Sequence, residues 1–303
     1  MYKIKQNEIG VCDVATYLNT KIHFFEEFYI SHPSSPDMAK SNSIVFLEHC
    51  TRASLNSLPK DCLLLTQVFE TEEFKVNEVN PAIIFTDTPE LDFYRVVSEF
   101  FVQESIFSIH PSAVLDNSVK LGVNVNVGQG SYLAAGVSVG SNTYIGRNVI
   151  IHEGNHIGTN CHIKDGAIIG SESFKFVEDD RHLSMTPFFG HIVIEDNVWI
   201  GANVILERPA FDAHTIGENV KIDDLVQVGA DVSIGANVQI AAGTIVGRNV
   251  SIGCQCKLGI NTVIKPNVKI GQQVSTGIGS VVISDLGSSS VYVGNPAKLL
   301  RAD

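Results

Sequence analysis

The sequence predicts a mainly β protein, in which a small α/β domain (residues 1–108) precedes a chain that coils as a triangular prism (residues 109–303). Three observations support this division. Only one of the 25 glycines lies before residue 109. Eleven of the 16 phenylalanines lie in that same first stretch. Beyond it, aliphatic residues recur at every sixth position, so composition and pattern both place a domain boundary near residue 108.

Apolar runs of strand length occur throughout the first domain. IHFFEEFYI, SIVFLE, CLLLT and AIIF are each rich in the aliphatic and aromatic residues that favour strands. They occupy residues 22–30, 43–48, 62–66 and 82–85. With helices between some of them, these strands predict a small α/β unit.

Two helices are expected in this domain. Asp13 is of a residue type that caps helices, and it predicts a short helix through Asn19. Thr88-Pro89 combines a capping residue with a proline suited to the first turn. This pair predicts a second helix that runs through about Phe101.

The second domain is a repeat with a period of six. Aliphatic residues occupy 11 consecutive places over residues 109–169, three over 194–206 and ten over 216–270. Of these 24 places, 14 are followed directly by glycine. A strand has a period of two and a helix a period of 3.6, so neither explains this spacing. It fits a prism in which each face points one aliphatic residue inward and each corner has a small residue.

Three hexads make one coil, so residues 18 apart in register stack at the strand spacing of about 4.8 Å. Each coil then buries its apolar residues only against its neighbours. The register is interrupted between Ile169 and Ile194, which predicts a loop over residues 171–193. Long loops on a rigid scaffold often cover a binding site, and we expect this one to reach the cleft of a neighbouring subunit.

Composition argues against several kinds of partner. The formal net charge of −12 and the pI near 5.2 argue against nucleic acid or an anionic membrane, since both need a basic surface. No apolar run reaches the ~18–20 residues that span a bilayer, and the first residues lack the apolar core of a signal peptide. The six cysteines lack the spacing of a metal site, which predicts no metal and reduced thiols in the cytoplasm.

Several stretches resemble one family, the UDP-3-O-acyl-glucosamine N-acyltransferases of the lipid A pathway. Residues 109–122 (IHPSAVLDNSVKLG) are similar to the start of its helical domain, and residues 170–176 (GSESFKF) to its aromatic loop. Residues 201–229 follow its pattern, with four extra residues inside one coil. SIVFLE and AIIFTDTPELDFYRVV look like its nucleotide-binding domain. The resemblance implies a left-handed parallel β-helix, a homotrimer and an acyltransferase acting on a nucleotide sugar.

The chain departs from this family at positions that carry its chemistry. The family has Ala-His-Asn-Val, with the histidine as general base, where this chain reads GADV at residues 229–232. A second family histidine falls at Asn267. The family's uracil site uses Phe, Asn and Tyr, and the matching stretch here offers Phe46, His49 and Arg52. A UDP-linked and a dTDP-linked sugar therefore both stay open as substrates.

GNPAK, at residues 294–298, looks like the last-coil motif of acyl-CoA-dependent hexapeptide transferases. The resemblance implies that its Pro and Ala pack on adenine and that its Lys lies near the CoA phosphates. TGIGSVV, at residues 276–282, resembles the corner that receives the pantetheine arm. The implied CoA-binding residues are Gly277, Gly279, Ser280, Asn295, Pro296, Ala297 and Lys298. Acyl-CoA, with acetyl as the expected acyl group, is thus a co-substrate, and no permanently bound cofactor is expected.

The coil arithmetic places Ala230 between Arg208 and Arg248, each one coil away, and Asn249 beside Asp231. Two guanidinium groups near a carboxylate stabilise its charge, so we expect Asp231 to be a poor general base. It is expected to orient the amine or to hold an arginine in place. The arginines are candidates to bind the pyrophosphate of the sugar nucleotide or of CoA. A surface ladder of charges without function is the alternative.

Amine acylation does not require a strong base. A sugar amine titrates near an α-amino group, about 7.7–8, so part of it is neutral at pH 7. Catalysis can then depend on alignment and on backbone N–H groups at the developing oxyanion. The candidate proton acceptors are Asp231 and three histidines. His182 and His191 lie on the predicted loop, and His152 lies beside Glu153. A surface residue without a chemical role is the alternative for each histidine.

The leading hypothesis is a trimeric enzyme that moves an acyl group from acyl-CoA to the amine of a nucleotide-linked amino sugar. Its product would serve surface polysaccharides such as lipopolysaccharide and O-antigen. A lipid A enzyme with an acyl carrier protein as donor, and a non-catalytic sugar-nucleotide sensor, are the alternatives. A γ-type carbonic anhydrase needs three zinc histidines, and His152 and His156 do not have the spacing of its paired ligands.

Overall fold

The computed structural model describes residues 3–4, 8–23, 27–67, 81–103 and 108–302. The chain divides into two compact units, Met1–Ser105 and Ile106–Asp303, and the predicted boundary at residue 108 lies within three residues of this division. No helix in the described ranges is long and apolar enough to cross a membrane.

A five-stranded sheet forms the centre of the first unit. Its strands, in spatial order, are Ile22–His23, Ala82–Phe85, Cys62–Thr66, Ser43–Leu47 and His32–Pro33. All neighbours pair in parallel except the first two, which are antiparallel. Side chains on both sides of the sheet are buried, for example Leu64 on one side and Leu63 on the other. Near-continuous apolar runs are typical of parallel strands covered on both faces, and three of the four predicted strands are confirmed.

The other elements of this unit are short. The helices are Val11–Tyr17, Arg52–Ser57 and Pro89–Val96, with a 3₁₀ turn at Pro36–Met38 and a π-helical turn at Val97–Phe101. Two further strand pairs join Lys3–Ile4 to Val102–Gln103 and Ile9–Gly10 to Tyr29–Ile30. The helix predicted from Thr88 to Phe101 is thus confirmed in extent.

Three predictions for this unit need correction. Gly10, not Asp13, caps the first helix, and Asp13 accepts the Gly10 N–H at 3.2 Å from inside the first turn. That helix ends at Tyr17, because Asn19 has a left-handed φ of 52°. The single strand predicted over residues 22–30 is wrong, since its two ends pair in different sheets and residues 24–26 lie outside the described part of the chain.

The second unit is a parallel β-helix with three flat sheets, which we call the first, second and third faces in the order the chain visits them. The first face consists of Val114–Leu115, Tyr132–Leu133, Ile150–Ile151, Ile168–Ser171, Ile205–Glu207, Gln227–Val228, Ile245–Val246, Val263–Ile264 and Val281–Val282. The second consists of Lys120–Leu121, Ser138–Val139, His156–Ile157, His191–Ile194, Ala213–Ile216, Ser233–Ile234, Ser251–Ile252 and Lys269–Ile270. The third consists of Asn126–Val127, Tyr144–Ile145, His162–Ile163, Trp199–Ile200, Lys221–Ile222, Gln239–Ile240, Lys257–Leu258, Val274–Thr276, Ser290–Val293 and Lys298–Ala302.

The register between coils is the predicted one. Tyr132 pairs with Ile150, and Ile150 with Ile168, each 18 residues further along the chain. Inward residues such as Leu133 and Ile151 are fully buried in one continuous core. Many corners use an asparagine with positive φ, because its short polar side chain tolerates the left-handed region. A Cβ on Gly128 would lie 2.3 Å from the carbonyl oxygen of Gly146, so stacked coils exclude larger residues there.

Two segments leave the prism at the corner between the first and second faces. The first is the predicted loop, which leaves after Ser171 and returns at His191. It contains a β-hairpin formed by Phe176–Asp179 and His182–Met185. The second is a bulge at residues 208–212, between the strands Ile205–Glu207 and Ala213–Ile216. It holds the extra residues that interrupt the hexad register.

Candidate active site

One edge of the prism gathers most of the charged residues singled out in the sequence. We call it the charged edge, and it is the corner between the first and second faces. The residues on its successive turns are His152, Glu153, Arg208, Asp231, Arg248 and Asn249. Backbone hydrogen bonds tie the turns together, as in the bond from Asn249 N–H to the Ala230 carbonyl at 2.9 Å. The loop and the bulge leave the prism along this same edge.

Asp231 lies in a corner turn with φ +61°, and both of its carboxylate oxygens have partners. Oδ1 accepts the backbone N–H of Ala210 at 3.0 Å, which fixes the bulge to this turn. Oδ2 accepts from Nη2 of Arg248 at 3.3 Å. A carboxylate with hydrogen bonds to both oxygens is better suited to positioning its neighbours than to acting as a general base.

Arg248 presents an unsatisfied donor beside this carboxylate. Its Nε is buried and has no hydrogen-bond partner among the described residues, while 32% of the side chain is exposed. A buried N–H without a partner costs ~1–3 kcal/mol, and an anionic oxygen on a ligand would remove that cost. The exposed part of the guanidinium is where an anionic oxygen could approach this turn.

Of the two arginines predicted to lie near Asp231, only Arg248 contacts it. Arg208 is directed toward the preceding coils: its Nε donates to the Gly170 carbonyl at 2.7 Å and its Nη2 to Oε2 of Glu153 at 2.9 Å. Hydrogen bonds from its own backbone N–H and from Arg208 hold the pKa of Glu153 below its usual value. Arg208 lies where the bulge begins, and its bonds to Gly170 and Glu153 turn it away from Asp231.

Glu207 is a site residue that the sequence reasoning missed. Its Oε2 accepts the Ala230 N–H at 3.1 Å, and its Oε1 accepts from Nε2 of Gln227 at 3.2 Å. Glu207 and Asp231 thus clamp the bulge and the turn to each other from both sides. One signal was available in the sequence, since Glu207 occupies a place that glycine usually takes after an aliphatic start.

Among the described residues, no hydrogen bond or ring contact joins a candidate histidine to Asp231. His182 lies in the exposed loop hairpin. His191 was predicted to lie on the loop, and this prediction is wrong. It begins the strand His191–Ile194, because its N–H donates to the Asp212 carbonyl of the bulge. Its ring meets His156 edge to face at 5.3 Å. His152 lies at its corner with its carbonyl bonded to Nδ2 of Asn155.

The three residues proposed for the base of a nucleotide lie at the carboxyl end of strand Ser43–Leu47. Phe46 is half-buried, with its ring 5.0 Å from Phe93 and 6.2 Å from Tyr94. His49 is exposed in the following loop, and Arg52 is the first residue of the next helix. Ligands of parallel sheets bind at this end of the strands, so the position suits the predicted role.

The predicted CoA segment forms a compact turn on the last coils. The Gly294 carbonyl accepts from Val281 at 3.0 Å, and the Ala297 N–H donates to the Val281 carbonyl at 2.8 Å. The turn therefore places Asn295, Pro296, Ala297 and Lys298 beside the corner of Gly277 and Gly279. Ser280 is fully buried and its hydroxyl donates to the Gly277 carbonyl, so its side chain faces the protein interior.

The first face exposes an aliphatic stripe next to the charged edge. Its nine strands each point one side chain outward, and eight of these side chains are apolar or tyrosine. They are Val114, Tyr132, Ile150, Ile168, Ile205, Ile245, Val263 and Val281. Gln227 is the ninth and lies on the coil of Asp231. The stripe is about 38 Å long at the usual strand spacing.

Within the described ranges, no three His, Cys, Asp or Glu side chains lie close enough together to hold a metal ion. Repeat families match about half of the second unit. Residues 213–248 match the bacterial transferase hexapeptide (six repeats), and residues 136–171 and 191–223 match the hexapeptide repeat of succinyl-transferase.

Two relatives from Prochlorococcus marinus carry the name UDP-3-O-acylglucosamine N-acyltransferase. The one from strain SARG is 40% identical over 227 residues, which is 68% of this chain and 65% of the relative. The one from strain MIT 9515 is 37% identical over 240 residues, which is 71% of this chain and 68% of the relative. This chain therefore spans about two thirds of the length of these relatives.

Two solved structures have the same fold. The UDP-N-acetylglucosamine acyltransferase from Campylobacter jejuni superposes with a TM-score of 0.59 at 22% identity, covering 64% of this chain and 75% of that chain. The enzyme from Bacteroides fragilis 9343 gives 0.58 at 23% identity, covering 63% and 73%. At these identities the likeness shows the β-helix fold alone.

Proposed function

This chain belongs to the family of hexapeptide-repeat acyltransferases that includes the UDP-3-O-acylglucosamine N-acyltransferases, and we propose that it transfers an acyl group from acyl-CoA to the amine of a nucleotide-linked amino sugar. One observation carries the proposal. The charged edge brings Asp231, Arg248 and Glu207 together beside the stripe and the bulge, and the turn of Asp231 has no histidine.

The chemistry needs little from a side chain. The amine nitrogen attacks the thioester carbonyl, a C–N bond forms, and the C–S bond breaks to release CoA. The proton lost by the amine ends on the departing thiolate. A sugar amine with a pKa near that of an α-amino group, about 7.7–8, is partly neutral at pH 7, so no strong base is required.

The residues of the turn supply alignment and charge. Arg248 has a partly exposed guanidinium group, which would bind an oxyanion or a phosphate oxygen of either substrate. Asp231 holds Arg248 by its second oxygen and the bulge by its first. In this mechanism Asp231 is a positioning residue, and rate enhancement comes from holding amine and thioester in line.

The donor is assigned to CoA because of the C-terminal turn. Asn295, Pro296, Ala297 and Lys298 would bind the adenine and phosphate end, and the corner of Gly277 and Gly279 the pantetheine arm. The open corner supports this, since a Cβ on Gly279 would meet nothing within 4 Å. The first unit would bind the nucleotide of the sugar, UDP or dTDP, at Phe46, His49 and Arg52.

We propose that the enzyme is a homotrimer joined along the aliphatic stripe. Exposed apolar surfaces of this extent mark interaction sites. On the second face, by contrast, seven of the eight outward register positions are polar or charged, and the eighth is Val193. We place the enzyme in the reducing cytoplasm, where its six cysteines would stay reduced thiols.

The test is a mass-spectrometric screen of acyl-CoA thioesters against UDP- and dTDP-linked amino sugars. The expected result is an amide product and free CoA in equal amounts. Turnover with acyl carrier protein but not with CoA would assign the donor to the carrier protein instead. Sugar-nucleotide binding without turnover on any amine would indicate a sensor and refute the enzyme.

A further inference from the structure

Buried polar atoms without a hydrogen-bond partner gather at one corner of the prism. In the described part of the chain they are Oγ of Ser173, Nδ1 of His214 and Nε of Arg248. Ser173 lies at the start of the loop, His214 in the strand that follows the bulge, and Arg248 on the charged edge. Buried polar groups in proteins nearly always find partners, so exceptions gathered at one place need an explanation. Of the three residues, only Arg248 belongs to the proposed mechanism.

His214 occupies an inward position where the neighbouring coils have aliphatic residues. It pairs with Ile192 on the preceding coil, and Val232 lies 18 residues further along, on the next coil. Both neighbours are buried, at 3% and 4% exposed. Asn155, two coils earlier in the same column, is polar, but its Nδ2 donates to the His152 carbonyl and its Oδ1 accepts the Ile192 N–H. Nδ1 of His214 has no such partner among the described residues.

The ring of His214 reaches the surface at the charged edge. The residue is half-buried, although Ile192, Val232 and the core enclose it on the other sides. Nδ1 is buried, and Nε2, at the far end of the ring, is not. The exposed end of the ring therefore faces outward at the corner where the bulge leaves the prism, one coil before the turn of Asp231.

The buried end of the ring decides which nitrogen carries the hydrogen. A neutral imidazole has one N–H group and one nitrogen with a lone pair. An N–H group buried without an acceptor is rare in proteins, and an unpaired acceptor is better tolerated. The favoured tautomer thus leaves the lone pair on Nδ1 and the hydrogen on Nε2. In this form His214 presents a hydrogen-bond donor to the charged edge.

The side chains of the charged edge around Asp231 offer a substrate donors more than acceptors. Both carboxylate oxygens of Asp231 and of Glu207 already accept hydrogen bonds from the protein. The side chain of Arg248 is 32% exposed, and Nε2 of His214 adds an uncharged donor. In acyl transfer, the atom that gains negative charge is the carbonyl oxygen of the thioester. Donors that are fixed in advance stabilise this oxygen most as its charge develops.

We propose that the Nε2–H of His214 donates a hydrogen bond to the thioester carbonyl oxygen and stabilises the oxyanion of the tetrahedral intermediate. The inference rests on the proposed acyl transfer at the charged edge. As the amine nitrogen attacks, the C–N bond forms and an electron pair of the carbonyl moves to oxygen. When the carbonyl forms again, the C–S bond breaks and its electron pair leaves on sulfur. The imidazole keeps its hydrogen throughout, so His214 acts as a donor and not as a base.

The test uses the conflict between folding and function at this position. His214→Val supplies the residue type that the next coil has in Val232, and it removes the unpaired Nδ1. His214→Gln keeps an N–H donor near the place of Nε2. Ile192→Val, one coil earlier in the same column, is the matched control. Steady-state kinetics on the best pair of thioester and amine, calorimetric unfolding and light scattering are measured for each protein.

We expect His214→Val to raise Tm by about 2–6 °C, because an unpaired buried atom is replaced by an aliphatic side chain. The same variant should lower kcat about 100-fold, with KM changed less than about threefold. His214→Gln should recover at least about tenfold of the lost kcat. Ile192→Val should keep kcat within about twofold of wild type, while Tm falls by a few degrees.

Several results would overturn the role of His214 while leaving acyl transfer intact. They are a wild-type kcat in His214→Val, a higher KM with unchanged kcat, and a kcat of His214→Gln no better than that of His214→Val. A lower Tm together with a lower kcat in His214→Val would show a structural role instead. A wild-type protein that acylates no amine with any thioester would refute the proposed function, and this inference with it.

Discussion

Asp231 allows the positioning mechanism to be tested by two substitutions at one place. Asp231→Asn keeps an oxygen for the Ala210 N–H and a residue type that accepts left-handed φ, but it removes the charge that pairs with Arg248. Asp231→Ala removes both. Comparing the two separates the hold on the bulge from the hold on the arginine.

The stability changes follow from the contacts. The ion pair with Arg248 is partly exposed, so its loss costs ~1 kcal/mol or less. Losing the hydrogen bond to a charged acceptor costs ~1.5–3 kcal/mol, and alanine at φ +61° adds ~1–2 kcal/mol. We therefore expect Asp231→Asn to lower Tm by only a few degrees, and Asp231→Ala to lower it by about 5–15 °C.

Activity should respond differently from stability. Both variants free Arg248, so both should lose about 10–100-fold in kcat, with a smaller change in KM. Steady-state kinetics on the best substrate pair, with thermal unfolding followed by calorimetry, measure the two effects. Asp165→Asn is the matched control, since Asp165 accepts the Arg147 N–H at 2.7 Å on a different edge.

Two outcomes would refute this reasoning. Turnover by Asp231→Asn within about twofold of wild type would remove the Asp231–Arg248 pair from the mechanism. Equal destabilisation by the two variants would show that charge, not hydrogen-bond geometry, fixes the bulge.

Three further predictions concern the prism. Ile168→Glu should give monomers by light scattering, while Ser233→Glu on the second face should not; a trimeric Ile168→Glu protein would exclude the stripe as the interface. His162, half-buried between the stacked rings of Tyr144 and Trp199, has its pKa lowered from 6.5 to about 4, chiefly by desolvation. Below pH 6.5 the unfolded chain binds a proton that the folded chain does not, so stability should fall from there toward pH 4, and less steeply in His162→Phe by urea titration. Glu153 also has a lowered pKa, so it too makes the fold less stable in acid, at lower pH than His162. Its hydrogen bonds, including the one from Arg208, stabilise the fold above the usual carboxylate pKa of ~4.3 and are lost as acid protonates Glu153. The unfolding free energy of Glu153→Gln should therefore depend less on pH between about 5 and 3 than that of wild type.

The prism could be predicted from the sequence because its rule is local and repeats. Each coil needs an aliphatic residue at the same inward position, as Ile145 and Ile163 illustrate. An error in the predicted register would place polar residues at these inward positions, so it would be visible in the sequence. The first unit lacks such repetition. The run at residues 22–30 looked like one strand because nothing in the local pattern shows that Ile22 pairs with Ile84 while Ile30 pairs with Ile9.

The site was predicted in outline and missed in detail for a related reason. Coil arithmetic placed Arg208 and Arg248 on one edge, but side-chain direction depends on the bulge between them. Arg208 turns to Glu153 and Gly170, and this choice depends on contacts that no spacing encodes. Glu207 escaped notice because its partners are the backbone of Ala230 and the amide of Gln227, which become neighbours only in the folded coil.

The way the loop joins the prism has a consequence for how such proteins diversify. The chain leaves at Ser171 and rejoins at His191, yet Ile157 still pairs with Ile194 as though nothing lay between. Extra sequence at this corner therefore leaves the second-face pairing in register, and the first face adjusts by a bulge between Ile169 and Ser171. A descendant can exchange the segment for a longer, shorter or differently charged one without refolding its scaffold. Recombination at this junction offers an inexpensive route to new substrates, and transplanting residues 172–190 between relatives is a direct way to exploit it.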